Sequence, residues 1–82
     1  MILVDIYVPA VDKTYDFQLN ENVRVDTVIE ELSEMVGQKE RSVLKGRVDE
    51  LILCDRNSER ILKRDDSLSS AGISNGGSLI LV

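Results

Sequence analysis

The 82-residue sequence contains no histidine and no tryptophan, one cysteine (Cys54), one proline (Pro9) and three aromatic residues, Tyr7, Tyr15 and Phe17. Each shortage removes a class of function. Without histidine there is no imidazole base, acid or metal ligand. A single thiol excludes an internal disulfide and cysteine-only zinc or iron–sulfur ligation. Few aromatics and a net charge of −5 leave little for stacking bases or neutralising phosphates, so nucleic acid is not an expected partner. No apolar run nears the roughly 20 residues that span a bilayer. The start of the chain lacks the basic-then-apolar layout of a secretion signal, so cytoplasmic residence without direct membrane insertion is expected.

What is present is the composition of one small globular domain over residues 1–82, 43% hydrophobic and 30% charged, near the lower size limit for folding without staples. The charge is uneven. Lys39, Arg41, Lys45 and Arg47 against Glu40 give +3 in one decapeptide, leaving −8 for the remainder. That basic segment, Lys39 to Arg47, reads as a solvated connection, with a contact site for an acidic partner as the alternative.

Ile2 to Val8 alternate with period two, Ile2, Val4, Ile6 and Val8 to one side and Leu3, Asp5 and Tyr7 to the other, which predicts a strand with one buried face. Thr14 to Leu19 alternate again after a short turn at Pro9 to Lys13, making a hairpin. The period then changes. Val25, Val28, Ile29, Leu32, Met35 and Val36 form one helical stripe. A helix is predicted from about Asp26 to Val36, with Asp26 or Thr27 as cap, Thr27 and Glu30 at capping-box spacing, and Gly37 as a left-handed stop. Further strands are expected at Glu50 to Cys54, Arg60 to Leu62 and Leu79 to Val82. Asp55 to Ser58 reads as a turn, and Asp65 to Leu68 as a turn of helix.

This order resembles the ubiquitin-like β-grasp, an α+β fold with a mixed sheet of four to five strands on one helix. Leu51-Ile52-Leu53 is similar to ubiquitin's third strand, and Asp66-Ser67-Leu68, Gly72-Ile73 and Leu79-Ile80-Leu81-Val82 to its closing segment. The exposed di-glycine tail used in conjugation has no counterpart after Val82. The segment Val25 to Leu32 and the closing Gly-Ile-x-x-Gly-x-x-Leu pattern resemble the YukD/EsaB family, small cytoplasmic accessories of Gram-positive type VII (WXG100/ESX-like) secretion systems. The resemblance implies a non-catalytic protein without cofactor or metal, whose partners are other proteins, possible secretion-system components among them. In that fold the first and last strands are central parallel neighbours.

Alternation then turns Leu3, Tyr7, Ile52, Cys54, Ile80 and Val82 away from the helix, as an apolar stripe on the open sheet face. The corresponding face of ubiquitin is its docking surface. Clustered exposed aliphatics mark interaction sites. The competing readings are β-propensity alone, or weak self-association that covers the face. A covalent modifier or sulfur carrier is the alternative function, since Gly76-Gly77 invites trimming, but the pair sits before residues read as a central strand and is expected to be a tight turn. Cys54 and the Asp65-Asp66 pair read as structural, because neither a base nor a calcium loop accompanies them.

Overall fold

A computed structural model describes residues 1–40 and 50–82. Strand β1 (Ile2–Val8) pairs antiparallel with β2 (Lys13–Leu19), α1 (Val25–Glu40) follows, and β3 (Leu53–Asp55), β4 (Arg60–Ile61) and β5 (Ser78–Leu81) complete a sheet of order β2-β1-β5-β3-β4. β5 runs parallel to β1 and antiparallel to β3, so the closing strand occupies the centre.

The alternating and helical apolar sets meet as their periods require. Val4, Ile6, Val8, Phe17, Leu19, Leu53, Leu79 and Leu81 are buried against Val25, Val28, Ile29, Leu32 and Val36. Glu30, Glu31 and Glu34 stay on the solvent side. Leu68, Ala71 and Ile73 close the core from a turn-rich segment between β4 and β5.

Four local expectations are corrected. Gly37 does not stop the helix, which continues to Glu40. The next turn has a contact that rewards it: the Lys39 ammonium lies 5.8 Å from the centre of the Tyr15 ring. The capping box is also absent. The helix starts at Val25, ahead of Thr27. Val25 N–H donates to the Asp66 carbonyl (2.7 Å) and Asp26 N–H to the Arg64 carbonyl (3.0 Å), so main chain distant in sequence satisfies the first two orphan amides, while Asp26 Oδ1 accepts from the third, Thr27 N–H, at 2.8 Å. The same pairing explains why Asp65 to Leu68 forms hydrogen-bonded turns, with Ser67 bridged to Arg24, in place of a helical turn. Finally, β3 begins at Leu53. The Leu51 carbonyl accepts from the Arg64 guanidinium at 2.7 Å, which takes it off the ladder. Of the basic segment Lys39 to Arg47, residues 41–47 lie outside the described residues.

Among the described residues, two non-glycine residues hold positive φ, Asp12 at 52° and Glu59 at 56°. An L-residue there costs about 1–2 kcal/mol, offset partly by glycine's larger unfolded-state entropy. Glu59→Gly is therefore expected to raise stability by up to about 1 kcal/mol. A fall in the urea midpoint would contradict that sign.

Candidate functional site

The face of the sheet away from α1 is built by strand register. On β1, the inward Ile6 and Val8 flank an outward Tyr7. Tyr7 stands beside Thr14 on β2 and Ile80 on β5, Ile80 beside Cys54 on β3, and Cys54 beside Ile61 on β4. One row of side chains thus crosses all five strands. In the next row Ile52 and Val82 exchange two backbone hydrogen bonds, of 2.6 and 2.9 Å. On the opposite side of the first row lie Asp16, Asp5 and Ser78 in register, with Arg56 N–H donating to the Ser78 carbonyl at 3.0 Å.

Five of the six residues read from alternation, Tyr7, Ile52, Cys54, Ile80 and Val82, therefore fall into two adjoining rows. Leu3 does not join them. It sits four residues from Tyr7 along β1, about 13 Å away, with Asp5 between. Leu3 is exposed, its N–H donates to Asn75 Oδ1 at 2.8 Å, and its carbonyl accepts from Gly76 at 2.7 Å. Ile61 is the member that sequence reasoning missed, and it is the most exposed of the group at 66%. The signal was available: buried Leu62 forces its neighbour outward in an extended segment. Val82 and Ile52 are also exposed, while Tyr7, Cys54 and Ile80 are half-buried.

The Tyr7 hydroxyl donates to Asp12 Oδ1 at 2.8 Å, across the hairpin turn. That bond to a carboxylate pushes the phenol's pKa up, with desolvation and the Asp12 charge acting the same way and Arg56 opposing. The ring thus offers apolar surface with its polar end already committed. Asp5 is different. Its Oδ1 is buried and accepts no hydrogen bond.

The other polar candidates have structural work. Asp55, the one buried charged residue described, accepts from Asn57 N–H (3.2 Å) and Ser58 Oγ (2.7 Å) and shapes the β3–β4 turn. Asp66 Oδ1 accepts from Ser67 N–H at 3.0 Å beside its capping carbonyl. Among the described residues, no group of acidic or cysteine side chains could hold a metal ion, and no helix is long and apolar enough to cross a membrane.

Gly76-Gly77 is built into the sheet's entry. Gly76 has φ 87°, and Gly77 N–H donates to the Ser74 carbonyl at 3.0 Å. The Gly77 carbonyl accepts from Asp5 N–H at 3.0 Å, and a Cβ on Gly77 would lie 3.1 Å from both Ile73 Cγ2 and the Ser74 carbonyl oxygen.

Sheet order, crossing helix and central parallel pair define a ubiquitin-like β-grasp protein. Residues 3–81 match the family described as the WXG100 protein secretion system (Wss) protein YukD, and the chain belongs to that family. No curated protein matches it by sequence. Among solved structures it is similar to the N-terminal ubiquitin-like domain of the 4931431F19Rik protein, with TM-score 0.77 and 26% identity over 99% of this chain and 72% of that one. The ubiquitin-like domain of Plasmodium falciparum Dsk2 gives TM-score 0.75 and 20% identity over 99% and 95% of the two chains. Caldiarchaeum subterraneum ubiquitin gives 0.73 and 20% over 98% and 89%.

Proposed function

We propose that this chain is a non-catalytic, cytoplasmic accessory or regulator of a type VII (WXG100) secretion system, acting by non-covalent protein binding through its open sheet face. Family membership supports the setting. The observation that carries the mode of action is the contiguous group Tyr7, Ile80, Cys54, Ile61, Ile52 and Val82, aligned by register on a face that no described element covers. Exposed apolar surface that is ordered and rimmed by charge is the usual form of a docking site. Asp5 and Asp16 on the same face disfavour a phosphate-rich ligand.

Charging the centre of this group tests the proposal. Ile80→Lys is expected to abolish capture of the secretion-system partner. Its melting temperature should stay within a few degrees of the parent, because the side chain is already half-exposed. Capture at parental strength by a folded Ile80→Lys or Ile52→Asp variant would remove the basis for the assignment.

A further inference from the structure

We propose that one partner seated on this face is a second copy of the chain, packed sheet against sheet about a two-fold axis parallel to β5. The inference rests on the reading of the open face as a docking surface.

The argument comes from how charge is divided across the face. The row Asp16, Asp5, Ser78, Arg56 runs from carboxylates on β2 and β1, through β5, to a guanidinium just past β3. Asp5 and Arg56 stand on opposite sides of β5, and among the described residues no ion pair joins them. Arg56 is exposed. Carboxylate and guanidinium thus flank the central strand at the same height, one on each side.

A two-fold axis along β5 exchanges the two sides while preserving height. It lays β1 of one copy over β3 of the other and leaves β5 over β5. Asp5 then faces Arg56 of the second copy, and Arg56 faces Asp5 of the second copy. Tyr7 lies over Cys54, Ile80 over Ile80 and Val82 over Val82. Aligned sheets pack about 10 Å apart with strands within about 30°, a gap that an aspartate and an arginine together span. A two-fold axis perpendicular to the strands would stack β1 on β1 and reverse the heights. Asp5 would then oppose the segment at Pro9, and Arg56 would oppose Ile52. Both charges would be covered without a partner, which is costly. Of these two axes, only the first joins apolar surface to apolar surface and also sets each carboxylate opposite a guanidinium, and because the contact is isologous it does so twice.

Charge exchange tests this geometry. The wild-type chain should self-associate in a concentration series followed by sedimentation velocity. Asp5→Arg alone places two cations together at both contacts, and Arg56→Asp alone places two anions together. Each single variant is expected to associate more weakly by about tenfold or more. An equal mixture of the two restores both pairs in the heterodimer and should associate as strongly as the wild type. Recovery in the mixture also shows that both variants fold. A mixture no tighter than either variant alone overturns the proposal. So does a wild-type chain that stays monomeric throughout. If that monomer still loses its secretion partner on Ile80→Lys, the docking face stands and only the second copy falls as occupant.

Discussion

Cutting the chain after Gly77 is expected to abolish cooperative unfolding altogether. The cut removes β5, whose Leu79 and Leu81 are 0% and 1% exposed. Deleting a buried leucine side chain costs about 2–5 kcal/mol each, comparable in sum with the whole stability of a domain at about 5–15 kcal/mol. The backbone loss adds to this. β5 is hydrogen-bonded to β1 on one side and β3 on the other, so its removal opens two edges at the centre of the sheet. Heating the 1–77 fragment under circular dichroism should give no sigmoidal transition. A folded, soluble 1–77 fragment would revive conjugation through Gly76-Gly77, because only then would trimming leave a usable modifier.

Leu68→Ala carries the second large effect, roughly 2–5 kcal/mol. The residue sits among Ser67, Ser69 and Ser70 and yet is fully buried. Its surroundings explain why. Ser69 N–H donates to the Glu21 carbonyl (2.9 Å), Ile73 N–H to the Leu68 carbonyl (2.9 Å) and Val25 N–H to the Asp66 carbonyl (2.7 Å), so the segment is pinned against the start of α1. With that backbone held, the cavity left by truncation cannot collapse. For a domain of this size the melting temperature should drop by roughly 10–30 °C. A drop of only a few degrees would mean that the segment moves inward to fill the space.

Legibility in the sequence followed burial. Where one face of an element is buried along its whole length, as in Ile2–Val8 or in the stripe from Val25 to Val36, the period alone placed it. Where a tertiary partner decides, local rules failed. Thr27 and Glu30 offered a local cap, but the carbonyls of Asp66 and Arg64 hold the amides of Val25 and Asp26 and start the helix two residues earlier. Gly37 offered a stop, but a contact beyond it favoured another turn. The open sheet face was legible through alternation, because period two fixes which side chains share a face. It was not legible along the strands. Leu3 and Tyr7 share a face, yet whether they share a patch depends on Asp5 between them and on the register of β5. Ile61 was lost for a related reason: β4 is two residues long, too short for a period to show, which left its neighbour Leu62 as the signal.

The parallel pairing of β1 with β5 has a mechanical consequence. Ile2 lies at the start of β1 and Leu81 at the end of β5, and Asp5, Ile6 and Tyr7 run alongside Ser78, Leu79 and Ile80. Tension applied between those two points slides one strand along the other, so the bridging amides share the load and must rupture as a group. The β1–β2 hairpin, pulled open at its ends, would instead unzip one bond at a time. The fold is thereby built to resist stretching along the axis that joins its first and last strands.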